Sequence, residues 1–161
     1  MKTKLLIIHS SDELYGSDRI LLQVVQALRD TYRITVWLPV DHQDGKHQLY
    51  RMLQERAVEV QHMDMPILRR ALLTPKGLVR MARLAPQVAR KLRSSGADQV
   101  YLMTSACLLL APLARLAGRK KTTLHIQEPW GPREAMLLRQ LAKFTQQRIA
   151  ISQTVARSTG I

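Results

Sequence analysis

The chain is predicted to form an α/β domain: a doubly wound, mostly parallel sheet with helices on both faces. Three observations predict it. Apolar runs of strand length alternate with stretches of helical periodicity from Lys4 to the last residues. The strand segments are mostly continuous apolar runs, as expected of strands covered on both faces. Polar, reactive residues follow these runs, at the strand ends where an open parallel sheet binds ligands. The pattern is Rossmann-like.

The elements follow in order. "KLLIIHS" is a first strand, stopped by small polar residues, and Ser11 to Gly16 form a loop. "SDRILLQVVQALRD" places Ile20, Leu21, Val24, Val25 and Leu28 at helical spacing, with Ser17 or Asp18 as its cap. "RITVWLP" is a second strand, "HQLYRMLQER" a helix and "VEVQHM" a short third strand. "VDHQDGKH" has the composition of a mobile loop. Pro66 to Ser95 reads as helical and basic, with Pro86 expected to kink or interrupt it. "DQVYLMT" is a fourth strand and "ACLLLAPLARLAG" a helix ended by Gly118. "TTLHIQ" is a fifth strand, "PREAMLLRQLAKFT" a helix with Pro132 near its start, and "RIAIS" a sixth strand. A last helix starts at Ser152 or Gln153, and its early stop at Ile161 looks like a truncation.

The 161 residues make one domain (1–161) with a substantial core, and an apolar fraction of 46% argues against disorder. The single Cys107 excludes an internal disulfide framework and a cysteine-only metal site; within its apolar run it reads as a small core residue. Lys2 and Lys4 precede too short an apolar run for a signal peptide, and no segment has the length of a membrane span. A net charge of +13 points to nucleic acid, anionic lipid or a phosphorylated ligand as partner.

The charge is concentrated. No acidic residue occurs from Met65 to Ala97, and Arg80, Arg83, Gln87, Arg90, Lys91 and Ser94 share one helical face. Leu78, Met81, Ala82, Ala85, Val88, Ala89 and Leu92 share the opposite one. A solvated face is the ordinary reading of such a run. The lack of any acid favours a membrane surface, with Arg80, Arg83, Arg90 and Lys91 as docking residues. The segment offers no interleaved aromatics for base stacking, so nucleic acid ranks lower.

The strand ends carry the candidate chemistry. Gly16 and Ser17 stand at a helix start, where free backbone N–H groups bind anions and glycine permits close approach. A loop glycine beside a helix cap explains the same pair, which matches neither G-x-G-x-x-G nor the Walker pattern. His9 and His125 end the first and fifth strands and are capable of proton transfer in one site. Histidines satisfied by backbone carbonyls are the plainer alternative, although Glu128 and Trp130 near His125 favour a site there. No close His, Asp or Glu spacing recurs, so no metal is expected.

Three stretches give the chain a family resemblance: "YGSDRILLQVVQAL", "LHIQEPWG" and "RIAISQTVARSTGI". Their order and spacing resemble the amino-terminal domain of a family 4 glycosyltransferase of the GT-B fold. The resemblance implies a retaining enzyme of two facing Rossmann-like domains. This chain would be the acceptor-side half, inactive without the absent donor domain. It implies no cofactor and no metal, with a nucleotide-sugar as donor substrate. Gly16 and Ser17 would approach the donor phosphates, although Ser17 stands where a second glycine is common. His125 would sit beside the transferred sugar. His9, Asp12, Glu128 and Trp130 are the candidate acceptor-binding residues, with the indole as a platform for a sugar ring. Many such families use lipid-linked acceptors, which would place the protein at the cytoplasmic face of the cell membrane. The alternative is a stand-alone α/β module that binds an anion or a membrane.

Overall fold

The computed structural model describes residues 2–40, 47–69, 74–118 and 121–160. Most of the loop expected over 40–47 lies outside the described residues. Six strands form one sheet: β1 (Thr3–Ile8), β2 (Tyr32–Pro39), β3 (Glu59–Met63), β4 (Gln99–Leu102), β5 (Lys121–Ile126) and β6 (Gln147–Ala150). Their order is β3-β2-β1-β4-β5-β6 and every pairing is parallel. The order reverses between β1 and β4, so the switch point lies there.

Side-chain alternation along the strands builds two cores. On one face, Leu5, Ile7, Val36 and Leu38 meet Leu21, Leu22 and Val25 of α1 (Gly16–Leu28) and Leu49 and Leu53 of α2 (Gln48–Glu55). On the other, Leu6, Ile8, Leu102, Leu124 and Ile126 share a core with α3 (Pro75–Ser94), α4 (Leu110–Leu116), α5 (Pro132–Ala142) and α6 (Gln153–Thr159). Each fully buried leucine or isoleucine contributes roughly 1.5–3 kcal/mol.

Several boundaries differ from the sequence reading. Asp18 is the third residue of α1, not its cap: the helix begins at Gly16, and the Asp18 carboxylate accepts the Tyr15 N–H from inside the first turn. In the basic segment residues 66–69 are not helical, and α3 begins at Pro75. Thr74 caps it by accepting the Gly77 N–H, and proline is favoured at a first helical position. Pro66 and Ile67 are instead buried in a non-helical segment whose Leu68 N–H bonds to the Ala106 carbonyl. Pro86 does not interrupt α3, which runs unbroken for 20 residues with the Pro86 ring exposed. Met81, Val88 and Leu92 are buried as expected, but Leu78 is 54% exposed, beside Val79 at 52%. Ahead of α4, residues Ser105–Cys107 form a 3-10 turn.

Candidate functional site at the switch point

The loop from β1 to α1 is held by a buried carboxylate. Asp18 is fully buried and accepts from His9 Nε2 at 2.6 Å, Ser11 Oγ at 2.5 Å and the Tyr15 N–H at 2.8 Å. Burial alone would raise its pKa. The His9 and Ser11 bonds, the His9 charge and the Tyr15 amide outweigh burial, holding the carboxyl below the usual 3.8. His9 is itself fully buried and presents no surface to a ligand. Among the described residues its Nδ1 has no partner.

Gly16 is exposed between these anchors. Its backbone is not among the positive-φ positions, and a Cβ built on it would meet nothing within 4 Å. Neither loop geometry nor packing demands glycine there. Ser17 beside it is half-buried.

At the switch point itself, Thr104 Oγ1 donates to Ser10 Oγ at 3.0 Å, bridging the ends of β4 and β1. The Arg69 guanidinium donates to the Ser10 carbonyl at 2.7 Å. In the sequence Arg69 falls within the acid-free segment from Met65 to Ala97. No local signal connects it with Ser10, 59 residues away. Cys107 is fully buried, and burial pushes its thiol up to about 12, which makes it inert at neutral pH.

His125 lies in β5 and faces the α1 side of the sheet with Tyr101, while Leu124 and Ile126 face the opposite core. The Tyr101 hydroxyl and His125 Nδ1 are 3.3 Å apart, and the rings meet edge to face. Burial lowers the His125 pKa below 6.5 and raises that of Tyr101. A neutral imidazole beside a protonated phenol results, suited to orienting a hydroxyl rather than supplying a fixed charge. His9 and His125 do not meet: β4 separates β1 from β5, which places them two strand spacings, or roughly 9.6 Å, apart.

Beyond β5, Gln127 donates to the Met103 carbonyl at 2.7 Å and Glu128 is exposed. Trp130 is not a free platform: it is 6% exposed, and its indole N–H donates to Ser105 Oγ at 2.7 Å within the core. It fixes the segment that carries Glu128. Asp12 is also buried, accepting from His47 Nδ1 at 2.8 Å, His62 Nε2 at 2.9 Å and the Tyr50 N–H at 2.8 Å. That three-residue cluster spans 50 positions, so local spacing did not reveal it.

On α3, Arg80, Arg83, Arg90 and Lys91 are all exposed, as the wheel predicted. Asp64, one residue before the acid-free segment, pairs with Arg80 at 2.8 Å. Among the described residues no helix is long and apolar enough to cross a membrane.

No family model and no curated protein matches the chain. Solved structures do. Anabaena Alr3699/HepE, crystallised with UDP and glucose, superposes with a TM-score of 0.73 at 20% identity, over 98% of this chain and 40% of HepE. A putative UDP-N-acetylglucosamine 2-epimerase from Listeria monocytogenes gives 0.63 at 13% identity, over 99% of this chain and 42% of that one. Arabidopsis thaliana UGT89C1, complexed with UDP-L-rhamnose, gives 0.53 at 13% identity, over 94% and 45%. The chain therefore has the Rossmann-like α/β fold found in GT-B glycosyltransferase-like proteins, and it spans less than half the length of these three.

Proposed function

We propose that the chain is the acceptor-side half of a retaining, family 4-like GT-B glycosyltransferase. In this reading a second, donor-binding domain completes the enzyme, and the isolated half is inactive. The observation that carries it is the match of 98% of this chain to 40% of a protein crystallised with UDP and glucose. The fold supports the class by analogy, and the site residues supply the chemistry. Gly16 and Ser17 offer backbone amides to the donor diphosphate, stabilising the charge that develops as it leaves. His125, neutral and braced by Tyr101, orients a hydroxyl of the transferred sugar. Glu128 lines the acceptor wall and Trp130 supports it from beneath. His9 and Asp12 act through the loop they anchor.

The test is sugar transfer from UDP-sugars by the two-domain protein carrying His125→Ala. Turnover falls about 100-fold or more with the fold intact by circular dichroism. Near-normal turnover reduces His125 to a structural role.

Support for a lipid-linked acceptor comes from α3. Its cations lie beside exposed Leu78 and Val79, a combination suited to an anionic bilayer. The chain sediments with phosphatidylglycerol vesicles but not with phosphatidylcholine vesicles, and replacing Arg80, Arg83 and Arg90 by Glu abolishes this. Equal binding to both vesicle types would remove the membrane from the proposal.

A further inference from the structure

Asp12, His47 and His62 come from three elements: the β1–α1 loop, the residue preceding α2, and β3. Their donor atoms all lie within 4.8 Å of one another. Asp12 is only 2% exposed, so its carboxylate is largely dehydrated and requires positive or proton-donating neighbours. One oxygen, Oδ2, meets both imidazoles, at 2.8 and 2.9 Å. The other, Oδ1, accepts the Tyr50 N–H, which fixes the plane of the carboxylate.

Two imidazole nitrogens and one carboxylate oxygen form a donor set that suits zinc and cobalt. Tetrahedral coordination at about 2.0–2.1 Å per bond sets neighbouring donors roughly 3.3 Å apart. The two Asp12–imidazole contacts need to open by only about 0.5 Å, and the two imidazole nitrogens already lie within 4.8 Å of each other. Orientation is already provided. The Tyr50 ring packs against His62 with centroids 4.9 Å apart, and the His47 and His62 rings meet edge-on at 5.4 Å. These ring contacts restrict rotation of both imidazoles. The His47 and His62 side chains are 38% and 27% exposed, so ion and water reach the site from solvent.

We propose that Asp12, His47 and His62 bind one divalent transition-metal ion, zinc or cobalt, which clamps the β1–α1 loop to α2 and β3. On binding, each neutral imidazole ligates through the nitrogen that faces Asp12 Oδ2 and carries its proton on the other ring nitrogen. The ion is structural: it fixes the loop that presents Gly16, and the proposal holds whether or not the protein transfers sugars.

The test is titration of the metal-stripped, tag-free full chain with Co²⁺, followed by visible absorption, then displacement by Zn²⁺. One equivalent gives the intense ligand-field bands of tetrahedral cobalt, Zn²⁺ removes them, and either metal raises the thermal midpoint. In His62→Gln and His47→Gln the uptake and the thermal shift are both lost. Glutamine still donates to Asp12, so the fold is kept; should one variant fail to fold, the other decides. The proposal is overturned if the wild-type chain takes up no stoichiometric Co²⁺. It is equally overturned if uptake survives undiminished in a folded variant, which would place the ion elsewhere.

Discussion

Replacing Asp18 by alanine tests whether a buried carboxylate organises the β1–α1 loop. The substitution removes three bonds, to His9 Nε2 at 2.6 Å, Ser11 Oγ at 2.5 Å and the Tyr15 N–H at 2.8 Å. Bonds to a charged group are worth about 1.5–3 kcal/mol each, but they do not add when one residue holds them all. Ser11 and Tyr15 are not fully buried and turn to water when released. His9 is fully buried and keeps only the long 3.3 Å contact between its Nε2 and Ser11 Oγ, while its Nδ1 has no partner among the described residues. Removing one member of a buried pair costs about 3–5 kcal/mol, and that is the expected loss. At roughly 2–4 °C per kcal/mol for a chain of this size, the thermal midpoint falls by about 6–20 °C. Urea unfolding measures it as a lower midpoint at unchanged slope. Asp18→Asn keeps an acceptor for Tyr15 and loses less, about 1–3 kcal/mol. A loss below about 1 kcal/mol in Asp18→Ala would refute the reasoning, because it would mean that His9 finds another partner at no cost.

Three further outcomes follow from the same geometry. Gly16→Ala leaves stability within about 0.5 kcal/mol of wild type, since open space surrounds the new Cβ, yet it lowers nucleotide-sugar turnover in the two-domain protein; a large loss of stability would show an internal need for glycine. Trp130→Phe strands Ser105 Oγ and costs about 1–3 kcal/mol in urea unfolding, whereas no loss would show the indole N–H bond to be idle. Because burial lowers the His125 pKa, the unfolded chain takes up this proton first. Stability is therefore full above about pH 6.5 and declines as the pH falls toward the lower folded value; urea midpoints of His125→Gln lack that increment of pH dependence.

The order of elements was legible because each strand and helix carries its own periodicity. The helix over 75–94 shows where periodicity misleads. Leu78 repeats at the spacing of Met81, Val88 and Leu92, yet it is exposed near the start of the helix. The site was legible only where signals are local. Gly16 and His125 stand out as candidates by their place after or within a strand, and the parallel topology does set both at one sheet edge. Asp12 with His62, and Arg69 with Ser10, are contacts across 50 and 59 residues, and no local pattern encodes them. Trp130 illustrates the converse. Its neighbours in sequence are polar, but the chain turns its indole inward onto Ser105.

The loop between β1 and α1 explains why two acidic residues six positions apart are both buried. Asp12 ties the start of the loop outward to α2 and β3, while Asp18 ties its end inward to His9 and Ser11. Between the two anchors, Gly16 stays exposed at the first turn of α1. A loop pinned on both sides of an exposed glycine needs little reorganisation to receive a ligand. The entropy of ordering it has already been spent in folding. Preorganised amides of this kind stabilise developing negative charge better than mobile ones. If the loop receives the donor phosphates as proposed, the buried carboxylates contribute to binding without touching the ligand, and their substitution weakens it through the position of Gly16.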